Sequence, residues 1–545
     1  MTDKPRRLST RPESNPPRHG SATADELPLA GIEDQPDPAE TLARQSSIAF
    51  SGDVVRRLIG FTTLAVITRL VSPSVYGLFV LALAIMQFVQ ALASLGLPKA
   101  VDYFVPQYLQ AGERGKARAV IIEVTALVLV TSILTALAII IMADGIAALF
   151  AEPGLATVLV LLTVTIPLLA LYNVILACFN AIKRLRYRVY TRDFTRPLIR
   201  LAATTGILLA GYGILGLIGG YFLGLLAAIF VGALLLGRRV PQLARVRASP
   251  VSAGPLLWYS VPLAFASVIY VVLGQVDSFI IGYFATSADV GIYRIGYSVA
   301  ANLLIIFVSV SPVFKPLIAE ARTDNRSVEE QFRTAVRWMM GLTIPMAIVL
   351  ALGAEAYLSI VFTPQYAVAS LVVVVLSGGY LVSVTSGGPD GALLQGLGYS
   401  RLVFLNTALL LVTNVVVSAL LVPPLGITGA AIGTASALSV AGIAALLEVY
   451  VLRGIHPFSP SILKLPVAAL PAIMTGGVVV VLAPGHLAVA LVLPIVVLIT
   501  YGAGLVALRA FTEQDEIVAR RFSPRAGRLV VRLRRAGVEK PAANG

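Results

Sequence analysis

Charged and amide side chains are sparse in the long apolar stretches of this chain, and each is a place where chemistry is possible. Asp53 and Arg57 stand four residues apart with Arg56 beside them, the spacing of an ion pair on one helix face. Two readings fit: a pair working inside the protein, or side chains reaching along their own stems to an interface. Arg69 and Arg294 each lie at the end of an apolar stretch where no other cation occurs. Either they form a cationic rim for an anion, or they satisfy a helix end. Arg294, Ser298, Asn302 and Ser309 recur at i, i+4, i+8 and i+15, which places them within about 80° of one another on a helix. Gln87, Gln90 and Ser94 make a similar stripe. Such stripes line a wet cavity or hydrogen-bond between helices. Asp277, with Tyr270 and Gly274 on its face, is the sharpest acid. It suits a coupling cation, a gate paired with Arg69, or a structural salt bridge.

Other residues have blander readings. Lys315, after Pro312, and Glu320 stand at the mouth of the apolar region, where solvation competes with binding. Glu123 and Glu448 are similar. Gly216, Gly220 and Gly224 form a small-xxx-small row suited to close helix packing. Cys178 is the single cysteine, so no intrachain disulfide exists and a core role is expected. His19, His456 and His486 do not cluster. No G-x-x-x-x-G-K-[ST] loop and no H-E-x-x-H occurs, so no P-loop ATP site or zinc-protease site is expected. No cofactor and no metal is expected, and the chain does not read as an enzyme.

The elements that position these residues follow from composition. Of 545 residues 57% are hydrophobic and 13% charged, against about 25% charged in a soluble domain. A soluble globule and a disordered chain are both excluded. Unbroken apolar runs argue against a β-barrel, whose strands alternate apolar with polar. What remains is an all-α polytopic membrane protein. Fourteen stretches are candidate spans: 46–70, 75–97, 118–142, 155–180, 196–213, 215–237, 257–283, 291–314, 335–354, 366–386, 401–422, 427–452, 464–483 and 486–510. With the N-terminus inside, 40 of the 42 Lys and Arg fall on inner segments, and Arg69 and Arg294 are the exceptions. The densest inner group is Lys183, Arg184, Arg186, Arg188, Arg192, Arg196 and Arg200. The net charge of +14 therefore reads as a topology signal meeting anionic headgroups, not as a nucleic-acid site. Both termini are expected in the cytoplasm and the protein in the cell membrane.

Residues 1–44 read as a disordered cytoplasmic tail, and 511–545 as a basic cytoplasmic tail. Shifting the chain against itself by 214 residues puts Gly77 on Gly291 and Pro98 on Pro312. Two pseudo-symmetric six-helix lobes are expected over 45–240 and 255–453, with a further helix pair over 463–510. Parallel repeats of this kind suggest a central cavity between lobes. The polar stripes occupy repeat-related spans, which favours the cavity reading for Gln87, Gln90, Arg294, Ser298 and Asn302.

Ile67-Thr68-Arg69-Leu70-Val71-Ser72-Pro73-Ser74-Val75-Tyr76-Gly77 and Gly96-Leu97-Pro98-Lys99-Ala100-Val101 resemble the first-span signature of polysaccharide-type flippases. Pro262, Asp277-Ser278-Phe279-Ile280-Ile281-Gly282 and Val290-Gly291-Ile292-Tyr293 resemble the second repeat of that family. It is the oligosaccharide-lipid flippase branch of the multidrug/oligosaccharidyl-lipid/polysaccharide exporter superfamily. The resemblance implies a V-shaped bundle that works by alternating access. It implies a polyprenyl-phosphate- or pyrophosphate-linked glycan as cargo, carried from the inner to the outer leaflet. It also implies a groove for the lipid tail beside the last helix pair. The partners expected are that glycan lipid, the bilayer and glycan-assembly enzymes. Substrate binding and gating are assigned to Arg56, Arg57, Arg69, Gln87, Gln90, Asp277, Arg294, Ser298, Asn302 and Lys315. The rival readings are a cation-coupled multidrug exporter and a non-transporting scaffold of a glycan-assembly complex.

Overall fold

The computed structural model describes residues 38–239, 247–308, 324–386 and 392–512, together with positions 310, 515 and 528. Residues up to Ser47 and residues from Ile48 onward are two separate units. Of the first, the opening turns of one helix from Pro38 are described.

Apolar runs cut off from water must satisfy their own backbone groups, and the helix does so within one segment. Among the described residues no strand forms. The first half runs α1 (Pro38–Leu70), α2 (Pro73–Ala93), α3 (Leu97–Gln110), α4 (Arg114–Leu149), α5 (Gly154–Thr163), α6 (Thr165–Ala181), α7 (Leu185–Val189), α8 (Arg196–Leu209) and α9 (Ile214–Arg239). The second continues through α10 (Ala253–Phe284), α11 (Ser287–Ala300), α12 (Asn325–Leu352), α13 (Ala354–Val361), α14 (Ser370–Thr385), α15 (Ala392–Gly396), α16 (Ser400–Leu425) and α17 (Ile427–Arg453). The pair α18 (Pro460–Leu482) and α19 (Gly485–Ala507) follows and packs on α12 and α13.

Among the described residues, 11 helices are long and apolar enough to cross a membrane, or up to 12 if α5 and α6 count as one span bent by 42°. The bend has a local cause. Pro167 offers no N–H to the carbonyl of Thr163, and its ring crowds that carbonyl. The other two expected spans, 46–70 and 196–213, are also helical, but they differ in composition. They coincide with α1, which carries Asp53, Arg56, Arg57 and Arg69, and with the 14-residue α8, which carries Arg196 and Arg200. Charge and length set these two apart from the other spans.

Two of the expected boundaries carry local structure. α1 begins at Pro38, inside the stretch expected as a tail to residue 44; a proline suits the first turn, where no N–H is needed. At the start of the second half, Leu256 is buried with Leu97, Val101, Val124 and Cys178 of the first. Ser249 N also donates to the Gly115 carbonyl at 3.1 Å. Lys315, Glu320 and Ser309 lie outside the described residues, as do most of the two expected tails.

The 214-residue shift has a physical counterpart. Ser72 and Thr286 are the N-caps of α2 and α11. Thr286 does so in a capping box with Asp289, in which each satisfies the other's backbone N–H. One turn further on, Gly77 and Gly291 meet. A Cβ on Gly77 would collide with the Ser287 carbonyl, and one on Gly291 would lie 2.6 Å from the Pro73 carbonyl. Each glycine thus abuts the residue four positions before the other, a reciprocal contact.

Helix pairs at the end of each half repeat the same device. Gly220 of α9 meets Thr204 of α8, and Gly433 of α17 meets Ser418 of α16. Between lipid-embedded helices there is no hydrophobic drive, so close approach through small residues supplies the packing energy. The row Gly216, Gly220 and Gly224 therefore acts in packing, and what it holds in place is α8.

A cationic cavity between α1, α2 and α8

A cavity of about 540 Å³ is lined by Asp53, Arg56, Gly60, Thr63, Leu64 and Ile67 of α1, Tyr76 of α2, Arg192, and Arg196, Pro197 and Arg200 of α8. Four guanidinium groups face one carboxylate there. Its size is that of a small-molecule site. The cations arrive through a local fault in the helix. Tyr190–Thr195 is a π-helical turn. Pro197 cannot donate to the carbonyl of Asp193, and the wider turn accommodates that missing bond. The Thr195 hydroxyl donates to the Tyr190 carbonyl at 2.9 Å and ties the turn across five residues.

Asp193 anchors Arg56 and Arg192. It is fully buried. Its Oδ1 accepts from Arg192 Nε at 2.7 Å and pairs with Arg56 Nε at 3.4 Å, while Oδ2 has no hydrogen-bond partner. Gly52 leaves room for this carboxylate, since a Cβ there would sit 3.1 Å from Asp193 Oδ2. Asp53 holds Arg56 and also accepts from Arg57 Nε at 2.7 Å. Arg196 lies over two rings, 4.9 Å from the centre of Tyr172 and 5.4 Å from that of Tyr221. Arg200 lies 5.3 Å from Tyr221. These stacks hold the guanidinium planes without neutralising them. Gly224 then sets the height of α8, because a Cβ there would come within 2.8 Å of the Arg196 carbonyl and 2.9 Å of Arg200 Cβ.

Such a cavity binds an anion through forked, charge-assisted hydrogen bonds. Its lining offers cations and one acid, without a nucleophile–base pair for making or breaking bonds. Arg192, Arg196, Arg200 and Asp193 are the residues that sequence reasoning passed over, by assigning the arginines to topology alone. The available signal was their spacing at i, i+4 and i+8, with Arg196 and Arg200 already inside an apolar stretch.

The other expected site residues are distributed differently. Arg56 lines the cavity, whereas Arg57 is held by Asp53 on its rim. Arg69 donates to the carbonyls of Val361 at 3.2 Å and Ile360 at 2.5 Å. It satisfies a helix end and does not meet Asp277, so the gate pairing those two residues is not formed. Gln87 accepts from Gln275 Nε2 at 3.2 Å, an interhelical contact between α2 and α10. Gln90 is buried and its amide has no partner. Ser298 donates to the Arg294 carbonyl, and Asn302 to the Ser298 and Val299 carbonyls. Ser298 and Asn302 therefore bond to their own helix, Gln87 bonds across to α10, and none of the described stripe residues lines this cavity. Arg294 donates to the Gly274 carbonyl at 3.4 Å, lies 5.3 Å from the Tyr297 ring centre, and acts electrostatically with Arg200 on Tyr76.

Asp277 is the centre of a separate buried network. Its Oδ2 accepts from the Tyr293 hydroxyl at 2.6 Å and the Thr434 hydroxyl at 2.9 Å, and Oδ1 has no partner. Asn414 Nδ2 donates to Thr434 Oγ1 at 3.3 Å, and Ser418 donates to Asn414 Oδ1 at 2.8 Å. The same 214-residue shift carries Thr63, Arg200 and Thr204 onto Asp277, Asn414 and Ser418. Repeat-related places are therefore cationic in one half and acidic in the other. Among the described residues no group of three His, Cys, Asp or Glu could hold a metal.

Comparison with known proteins bears on the family and the fold. A family model described as polysaccharide biosynthesis protein matches residues 66–371. Over 166 residues the chain is 26% identical to the probable low-salt glycan biosynthesis flippase Agl15 of Haloferax volcanii. That match spans 30% of this chain and 35%, about a third, of the relative's length. Among solved structures, the fold is similar to the lipid II flippase MurJ in an inward closed conformation, with a TM-score of 0.65 at 14% identity over 85% of this chain and 98% of that one. It is also similar to an inward-facing multidrug resistance MATE family transporter of the MOP superfamily, with a TM-score of 0.57 at 15% identity over 73% and 94% of the two chains.

Proposed function

Since the chain belongs to the polysaccharide biosynthesis protein family, a family of flippase-like membrane transporters, we propose that it moves a polyprenyl-linked oligosaccharide from the inner to the outer leaflet by alternating access. The observation that carries this reading is the cavity where Arg56, Arg192, Arg196 and Arg200 converge. A phosphate or pyrophosphate has to leave water to cross hydrocarbon, and bidentate arginines replace its hydration. Two lobes over 45–240 and 255–453 rock around this site, and the pair over 463–510 borders the groove for the lipid tail. The protein sits in the cell membrane with both termini in the cytoplasm, next to the enzymes that build the glycan.

The membrane potential supplies a drive. An anion leaving a cell that is negative inside gains about 2.3 kcal/mol per charge per 100 mV. Asp277, with one buried oxygen lacking a partner, is the candidate for a coupling cation in the opposite half.

The test is a lipid extract from cells lacking the protein, analysed by mass spectrometry. The expected result is accumulation of a finished lipid-linked oligosaccharide with the surface glycan absent. Normal lipid-linked pools with intact surface glycan would refute the reading. Drug sensitivity of the same cells would support the multidrug exporter instead. Silent charge swaps at Arg56 and Arg200 would support a scaffold.

A further inference from the structure

Arg69 and Glu152 are both spent on helix ends of the other half. Arg69 reaches the last two carbonyls of α13, those of Ile360 and Val361. Glu152 Oε1 accepts from the backbone N–H of Ser287, the first residue of α11, at 2.8 Å. A cation thus meets the negative end of one helix dipole, and an anion meets the positive end of another. Beside Ser287 lies the reciprocal contact of Gly77 with Gly291. Phe61 of α1 also meets Phe362 edge to face at 5.6 Å. All of these contacts fall at the end of the bundle whose loops are poor in Lys and Arg.

We propose that Arg69 and Glu152 are the two points of a latch that holds the outer end of the transporter shut. The inference rests on the alternating-access reading above. Both charged side chains come from the first half, and both helix ends come from the second. Their repeat-related positions are Tyr283 and Tyr366, so the latch is not duplicated and releases in a single separation of the halves. It also explains the exceptional place of Arg69, a cation where the charge bias forbids one. The hydrogen bonds of Arg69 are solvent-exposed, so water replaces them when the halves part. The latch is therefore weak enough to open in every cycle.

The test uses the full-length protein in intact cells. Ser287 is buried in the seam and native Cys178 is buried in the core, so Ser287→Cys gives a reporter with little background. Labelling by a membrane-impermeant maleimide added outside follows the open fraction when opening is faster than the reaction. Arg69→Ala and Glu152→Ala are each expected to raise the labelling rate about two- to fivefold, the range for a charge at a helix end. Together they raise it about four- to twenty-fivefold if the two contacts are independent. Arg69→Lys, which keeps the charge and loses the fork, gives an intermediate rate. A double variant that elutes as the parent and labels at the parent rate overturns the latch. So does Arg69→Lys labelling as fast as Arg69→Ala together with no effect of Glu152→Ala. Labelling only from the opposite side overturns its outer placement. Normal lipid-linked pools in the deletion strain would remove the proposed cargo and leave the labelling ratio standing.

Discussion

Gly224→Ala probes the arginine helix without touching any charge. The new methyl would stand 2.8 Å from the Arg196 carbonyl and 2.9 Å from Arg200 Cβ. The carbonyl is backbone, so no side-chain rotation relieves the clash. α8 must move away from α9 by about 0.6 Å to restore ordinary contact. Overpacking of this kind costs about 1–3 kcal/mol. The larger effect is functional, because Arg196 and Arg200 move together with the helix. A misplacement near 1 Å can cost about a hundredfold in a positioned site, so a loss of about tenfold in flipping is expected. Gly237→Ala on the same helix, where a Cβ meets nothing within 4 Å, is the matched control. The assay is flipping of a fluorescent lipid-linked sugar in proteoliposomes, with thermal unfolding in parallel. Equal flipping by Gly224→Ala and Gly237→Ala would refute the claim that this glycine sets the height of the cations.

Three further outcomes follow from the geometry. Arg200→Gln weakens inorganic pyrophosphate binding about ten- to hundredfold, the worth of a charged hydrogen bond, and Arg57→Gln, outside the cavity lining, weakens it less; calorimetry on the purified protein separates them. Asp515→Ala leaves buried Arg337 without the carboxylate 2.6 Å away and destabilises the fold by about 3 kcal/mol; Arg337→Leu with Asp515→Leu recovers most of that in a melting experiment, because both buried charges are then gone. Burial pushes the Asp102 carboxyl up, so the folded state binds its proton more tightly than the unfolded one, and stability falls as pH rises from the ordinary value through the raised one. Asp102→Asn therefore melts higher than the parent at pH 7, and the difference closes as the pH approaches 3.8.

Much of the fold was legible because the bilayer imposes it locally. Apolar runs, breaks such as Gly211-Tyr212-Gly213, and the placement of Lys and Arg each depend on a few neighbouring residues. The repeat was legible for the same reason: Gly77 and Gly291 stand at equivalent places because close approach admits no side chain there. The site was less legible. Polar residues on one helix face read alike whether they line a cavity, bond to a neighbour or bond to their own helix; Gln87 bonds across to α10 and Asn302 to its own backbone. The arginines at 192, 196 and 200 read alike whether they mark the inner surface or enter the bundle. A π-turn before Pro197 and the glycines of α9 decided that, through contacts the local sequence does not contain.

The sequence by itself determined that this chain lies in a membrane, that it is helical, that it is doubled, and which end of the bundle is basic. Those properties follow from side-chain transfer energies and helical spacing, which act residue by residue. Only the tertiary structure decided which charges meet. Arg56 joined Asp193 and Arg192, Arg69 went to carbonyls 291 and 292 residues away, and Asp277 went to Tyr293 and Thr434. A buried charge takes whatever partner the packing brings within about 3–4 Å, and in this chain the packing is set by glycines and prolines on other helices.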